Sequence, residues 1–390
     1  MKYNFDQRIE RRGTNSVKYD DLSAHFGRTD LLPMWVADMD FQTAPPIQEA
    51  ALECCRRGVF GYTFRSERAK EAYMDWVGKR YDWQVLPEWL SISPGIVTAL
   101  AVSIRAFTRM GEKVLVLTPV YPPFLTVPGD NGRELVCSSL VIRNGRYEVD
   151  WEDFEHKLGQ GVRLFILSNS HNPVGRVWSR EELKRMGELC CRYDVLILSD
   201  EIHADLSLFG HRHTVMASVS GEIADRTLTA MAPSKTFNIA GMMNSVIVAS
   251  SERLRDKYNR EMLALHLDLG NILGHVTFEA AYRYGGEWLE ELLIYLGENV
   301  NFADDFIKHN LPGVRMIKPE GSFLLWLDFR ETGLSHEETG RILVEKARVG
   351  LNDGQSFGKE GIGFRRMNIG CPREVLAEGL DRIAEAFGNR

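Results

Sequence analysis

Between residues 90 and 250 the chain alternates short, almost wholly apolar runs with helical stretches, and that alternation limits the folds open to it. Leu90-Ser-Ile-Ser-Pro-Gly95 reads as a strand entering a glycine turn, followed by an apolar helix over Ile96–Phe107. Val114-Leu-Val-Leu-Thr-Pro, Leu164-Phe-Ile-Leu-Ser, Val195-Leu-Ile-Leu-Ser and Ser245-Val-Ile-Val-Ala read as further buried strands. A strand that is apolar on both faces needs cover on both faces, and the intervening helices supply it. The expected fold is α/β, with a mainly parallel sheet. Ser179-Arg-Glu-Glu182 has the capping-box spacing and opens one of those helices, with Leu183, Met186, Leu189 and Cys190 on its inner face.

The flanks are organised differently. Pro46–Arg57 reads as a helix stopped by Gly58, and a second helix spans about 68–80. The helical stretch Glu252–Leu269 leads to a long amphipathic helix near 287–310. There Leu289, Leu292, Leu293, Leu296, Val300 and Ala303 share one stripe, which ends at Leu-Pro-Gly313. A smaller α+β unit follows: a strand over 322–329, a helix after Ser335, a strand over 364–369 and a last helix from Pro372. No repeat and no Gly/Ser linker interrupts the chain. The expected organisation is an N-terminal segment 1–45 packed with the small unit, a large domain 46–286 and a small domain 287–390.

Composition narrows the function. With 47 basic and 54 acidic residues the net charge is −7, which gives no encouragement to a nucleic-acid or anionic-membrane partner. The opening residues MKYNFDQRIERRG carry no apolar h-region, so no secretory signal is expected. No run of about 18 apolar residues occurs, so no membrane span is expected. The six cysteines (54, 55, 137, 190, 191 and 371) include two adjacent pairs and suit free thiols in a reducing cytoplasm.

In an open parallel sheet, ligands sit beyond the carboxyl ends of the strands. Those positions give a short list. Gly95, Ile96 and Val97 start a helix, where free N–H groups and the helix dipole favour a phosphate. Tyr121, held by prolines, offers an aromatic plate, and Asn172, in a turn set by Pro173, an amide. Asp200 closes an apolar strand and wants a cation, yet no basic residue follows it for several positions. Lys235, between Ser234 and Thr236, lies among apolar residues where an ammonium is costly, which is how catalytic lysines are made. Each feature alone has an ordinary reading as a turn, a packing aromatic or a surface lysine. Together they describe a ligand with a phosphate, a flat ring, a phenolic oxygen, a ring nitrogen and an aldehyde: pyridoxal 5′-phosphate. Neither G-x-G-x-x-G nor G-x-x-x-x-G-K-[ST] is present. No metal site is expected. Asp38 and Asp40 read as turn or capping carboxylates, and His211 and His213 as surface or loop groups.

These motifs resemble the fold-type-I, aspartate aminotransferase-like enzymes over nearly the whole chain, and among them the MalY/PatB group of cystathionine β-lyases (C–S lyases). The resemblance is carried by Leu-Pro-Met-Trp-Val-Ala-Asp-Met-Asp-Phe41, Val-Phe-Gly-Tyr62, Asn-Pro-Val-Gly-Arg-Val-Trp178, Ser-Asp-Glu-Ile-His203, Pro-Ser-Lys-Thr-Phe-Asn-Ile-Ala-Gly241 and Met-Asn-Ile-Gly-Cys-Pro-Arg373. It implies that Lys235 is the Schiff-base lysine, that Asp200 faces the ring nitrogen and Asn172 the phenolic oxygen, and that Tyr121 stacks on the ring. It places the phosphate on Gly95, Ile96, Val97 and Ser234, with Tyr62 reaching it from the other subunit of a homodimer. It gives Arg366 the substrate carboxylate, adds Ala37 on the substrate side, and puts His203 where aminotransferases commonly carry a tyrosine. The usual arginine after the lysine motif is absent; Met242 and Met243 stand there. Of Arg365 and Arg366 only one can face the substrate, since strand neighbours point oppositely; Arg365 reads as a surface ion pair. The implied reaction is α,β-elimination from an amino-acid thioether. An aminotransferase, which differs in the fate of the same carbanion, and a regulator acting through surface contacts are the alternatives.

Overall fold

The computed structural model describes residues 1–388. The apolar runs assemble into one seven-stranded sheet. In chain order its strands are Leu90–Ser93 (β1), Lys113–Thr118 (β2), Glu134–Ser139 (β3), Val162–Ser168 (β4), Leu196–Asp200 (β5), Thr227–Met231 (β6) and Ser245–Val248 (β7). Their spatial order is β1-β7-β6-β5-β4-β2-β3. Pairing is parallel from β3 to β6, and β7 runs antiparallel to both β6 and β1.

Alternation along β2 shows why the run had to be apolar throughout. Val114 and Val116 join a core with the helices Ile96–Phe107 and Glu252–Ala264, whereas Leu115 and Leu117 join a second core with Trp151–Leu158 and Arg180–Arg192. Each such fully buried side chain contributes about 1.5–3 kcal/mol relative to exposure. The Ser179 capping box is present, as is a second at Ser335.

Three elements escape a reading by periodicity. β3 carries Glu134 and two serines and pairs only with β2, at the sheet edge. β6 is Thr-Leu-Thr-Ala-Met, all buried, its threonines breaking an apolar run although they fit a pleated strand. The stretch expected to be helical over 252–269 stops at Ala264, and a separate helix spans Ile272–Tyr284 with Asn271 as its cap. That helix buries Gly274, His275, Thr277, Phe278, Ala280, Ala281 and Tyr282, so it lacks a clean polar face.

The helix Gly286–Asn310 leads to a four-stranded antiparallel sheet. Its strands are Arg315–Ile317 (β8), Leu324–Asp328 (β9), Asn352–Asp353 (β10) and Phe364–Asn368 (β11), in spatial order β8-β9-β11-β10. The N-terminal segment holds two short helices, Val17–Asp20 and Leu22–Phe26, and then crosses to this unit: Leu32 and Pro33 pair with Val349 and Gly350. Beyond that point residues 35–41 lie between β11 and the loop after β6. Asn368 Nδ2 donates to the carbonyls of Val36 and Asp38, while Asn238 Nδ2 donates to those of Met39 and Phe41. No helix among the described residues is long and apolar enough to cross a membrane.

Candidate active site

The carboxyl ends of five parallel-running strands converge on one cavity of about 280 Å³. β1 ends at Ser93 and passes through Gly95 into a helix; the first N–H groups of that helix have no acceptor within it. β2 leads to Tyr121, β4 to Asn172, and β5 ends on Asp200. β6 runs directly into the four-residue helix Pro233–Thr236, so Lys235 is itself a strand-end residue. Ala37, Gly95, Ile96, Val97, Tyr121, Asn172, Asp200, His203, Ser234 and Lys235 all line this cavity. Met243, in the place of the absent arginine, also lines it, as do Thr98, Ser168, Asn244 and Ser245, which had no signal in the sequence. The loops carrying Tyr121 and Asn172 are tied together by His171, whose Nε2 lies 2.8 Å from the Pro119 carbonyl. Burial pushes the His171 imidazole down to about 4, so the ring is neutral and Nε2–H donates.

The charged groups on the cavity are sparsely partnered. Lys235 Nζ donates to the Ala37 carbonyl at 2.5 Å. Desolvation lowers its ammonium to about 8, with Arg366 acting in the same direction and Asp38 and Asp200 against it. Asp200 accepts one hydrogen bond, from the Ile202 N–H at 3.1 Å. Burial raises its carboxyl to about 7, opposed by that bond and assisted by the charge of Glu201. Burial, with Lys235 and Arg366 nearby, brings His203 down to about 3. Its imidazole is therefore neutral, with Nδ1 3.3 Å from Ser322 Oγ. Burial also raises the Tyr121 phenol.

Arg366 does not line the cavity but adjoins it. It donates to Asn172 Oδ1 at 3.1 Å, the Trp35 carbonyl at 3.1 Å and Asn352 Oδ1 at 2.7 Å. No carboxylate meets it among the described residues, its Nε has no partner, and burial lowers it to about 10. With Oδ1 taken, Asn172 has its NH2 left to offer the cavity. Arg365 points to the other face of β11, as strand alternation requires, and is ion-paired as expected, but the arginine itself is buried rather than on the surface. It is 4% exposed and bonds Asp353 at 2.8 Å and the His336 carbonyl at 2.7 Å, because the helix His336–Ile342 covers that face.

Three more expectations need correction. Asp38 and Asp40 are ion-paired rather than turn or capping residues: Arg11 reaches both, at 2.6 and 2.7 Å, and buried Lys18 reaches Asp40 at 2.7 Å. Those cations lie far away in sequence, so nothing adjacent announced them. His211 and His213 both lie in a loop, as expected, and His211 is exposed; His213 is off the surface, buried with its Nε2 2.7 Å from Glu201 Oε2. The gap left by Met242 and Met243 is not without a cation either. Arg65 donates to Asn244 Oδ1 and to the Ser245 carbonyl at 2.8 Å, just behind the cavity wall. Tyr62 lies apart from all of these, 98% exposed in a loop with Val59, Phe60 and Phe64 also exposed.

A family profile for aminotransferase class I and II matches residues 30–383. The chain belongs to that family. It is 46% identical to cystathionine beta-lyase PatB of Bacillus subtilis, over 98% of this chain and 100% of that protein. Among solved structures it matches cystalysin from Treponema denticola, which contains a pyridoxal 5′-phosphate cofactor, with a TM-score of 0.96 and 32% identity, covering all of both chains. The PLP-bound C–S lyase from Staphylococcus hominis matches with a TM-score of 0.92 and 34% identity, over 99% of this chain and 98% of that one. Within the family the chain therefore groups with carbon–sulfur lyases.

Proposed function

We propose that the protein is a pyridoxal 5′-phosphate-dependent cystathionine β-lyase, releasing a thiol from an amino acid that bears sulfur on Cβ and, as one water hydrolyses the remaining enamine, pyruvate and ammonia. The observation that carries the reading is the pairing of an under-partnered buried carboxylate, Asp200, with a desolvated lysine, Lys235, across one cavity, in a chain 46% identical to a cystathionine β-lyase. The residues fit the cofactor: Asp200 lacks the cation that a protonated ring nitrogen supplies, and the helix start at Ile96 lacks acceptors that a phosphate supplies. Gly95, Ile96, Val97 and Ser234 would hold that phosphate, Asn172 the phenolic oxygen, Tyr121 the ring face and Lys235 the aldehyde carbon; His203 sits beside Asp200. When bound, the cofactor supplies an electron sink for negative charge at the substrate Cα.

The chain's own residues do the rest. Arg366, free of any carboxylate partner, is suited to take the substrate carboxylate in a two-point grip. Ala37, whose carbonyl accepts from Lys235 Nζ, lines the cavity on the substrate side. Lys235, lowered to about 8, has a usable neutral fraction near neutral pH and removes the Cα proton as general base. The same amine, then protonated and close to Cβ, returns a proton to the departing thiolate.

The division at 45 and 286, a homodimer in which Tyr62 reaches the neighbouring cavity, and a cytoplasmic location belong to the same proposal. The exposed apolar loop 59–64 supports the dimer, and six unpaired cysteines support the compartment. Light scattering of the purified protein tests the dimer. For the reaction, L-cystathionine is supplied with lactate dehydrogenase and NADH and no keto-acid acceptor. NADH loss is expected. Amino transfer to an added 2-oxo acid without pyruvate release from cystathionine would replace the lyase with an aminotransferase.

A further inference from the structure

Lys235 stands in a helix of four residues, Pro233–Thr236. One helical turn does not hold its own geometry, since nucleating a helix costs more than its first hydrogen bonds return. Its orientation must come from outside: the amine itself meets the Ala37 carbonyl, and the turn is tied at its other end to Asp205. Thr236 Oγ1 donates to Asp205 Oδ2 at 2.8 Å. The other oxygen of the same carboxylate accepts from Trp76 Nε1 at 3.0 Å and from the Tyr81 hydroxyl, with Arg80 Nε at 3.2 Å. Asp205 is 7% exposed, Thr236 fully buried, and neither lines the cavity. Asp205 lies in the turn Ala204–Leu206, five residues beyond Asp200. One carboxylate thus joins the strand end that carries Asp200, the helix Glu67–Tyr81 and the turn that carries Lys235. A ring contact reinforces the joint, Phe237 meeting Trp76 edge-on at 5.7 Å.

We propose that Asp205 is a positioning residue for Lys235, acting through the Thr236 hydroxyl to fix the amine on the Ala37 side of the cavity and at constant spacing from Asp200. This rests on the reading of Lys235 as the reacting amine. A buried carboxylate with two hydrogen-bond donors and one cation from a single helix, and a third donor beside the lysine, is a rigid joint, because releasing a donor leaves a charge under-bonded away from water. Cutting the Thr236 bond frees the turn alone: Asp205 keeps its other donors and the fold keeps its brace.

The test compares full-length wild type with Thr236→Val, Thr236→Ser, Asp205→Asn and the Thr236→Val/Asp205→Asn pair. The first readout needs no turnover: protein stripped of cofactor is labelled with acetic anhydride across pH, and acetylation of Lys235 is followed by mass spectrometry. The groups facing that amine are Asp38, Arg366, Asp200 and His203, none of which is altered. Wild type is expected to label with a midpoint near 8, and Thr236→Val nearer the ordinary lysine value of 10.5, as the amine swings toward water. Thr236→Ser keeps the wild-type midpoint. In the reconstituted enzyme kcat falls about tenfold or more in Thr236→Val with KM little changed, and the double variant is no worse than Asp205→Asn. If Asp205→Asn does not fold, the two Thr236 variants decide the matter. A wild-type midpoint and kcat in Thr236→Val, failure of Thr236→Ser to restore them, or additive losses in the pair would each overturn the proposal. Wild type that gains no visible absorbance band with pyridoxal phosphate would instead remove the reading of Lys235 beneath it.

Discussion

The carboxylate of Asp200 accepts a single backbone hydrogen bond, whereas that of Glu201, the next residue, meets the Ser199 hydroxyl at 2.7 Å, the Met216 N–H at 2.9 Å and His213 Nε2 at 2.7 Å. Both side chains are buried. The same contrast recurs in the small sheet: Arg366, beside the cavity, meets no carboxylate among the described residues, and Arg365, pointing the other way, is satisfied by Asp353 and His336. Burial is therefore not what separates a working group from a structural one in this protein. The difference is whether the fold has completed the group's bonds. A charge left incomplete at a cavity wall is a cost to the empty protein and an offer to a ligand.

The contrast is open to direct attack. The largest effect belongs to Lys235→Ala, which should lower pyruvate release from cystathionine by at least about 10³-fold. Its thermal midpoint without cofactor should hold or rise, since a desolvated lysine is removed. Next, Asp200→Asn should cut kcat by about 10²-fold with no loss of thermal stability. Glu201→Gln should do the reverse, costing about 1–3 kcal/mol of stability in a denaturant titration with kcat within a few-fold of wild type. Equal kcat losses in the two variants would break the distinction drawn here. Arg366→Lys should raise KM about tenfold as the two-point grip is lost, whereas Arg365→Lys should leave KM alone and lower the melting temperature.

The smallest effect is a pH signature. Asp200 rises on folding from 3.8 to about 7, so between those values the folded state binds more protons than the unfolded one and stability falls as pH rises. Lys235 drops from 10.5 to about 8, so between 8 and 10.5 the unfolded state binds more protons and stability rises with pH. The empty cavity is thus least favourable between about 7 and 8. Asp200→Asn should raise the melting temperature of cofactor-free protein more at pH 8 than at pH 5, by differential scanning fluorimetry; equal shifts at both would contradict the raised carboxyl.

Much of this was legible in the chain. β2, β4, β5 and β7 announce themselves as apolar runs, and Asp200 and Lys235 as charges in the wrong company. β6 was hidden by its threonines and the helix Ile272–Tyr284 by burial on nearly all sides, because a period is visible only where one face stays polar. Partners were hidden for a different reason. Arg11 and Lys18 on Asp38 and Asp40, Arg65 behind Asn244, and His213 on Glu201 are side chains brought together across sequence gaps that carry no pattern.

The sequence by itself determined the α/β class, the strand ends and the residue types placed there, since each follows from local periodicity and the cost of stranding a charge among apolar neighbours. Only the tertiary structure decided which of those charges were left unpaired. That choice depends on which distant side chains the packed helices and the crossing N-terminal segment bring within about 3 Å, the range over which a hydrogen bond is made or missing.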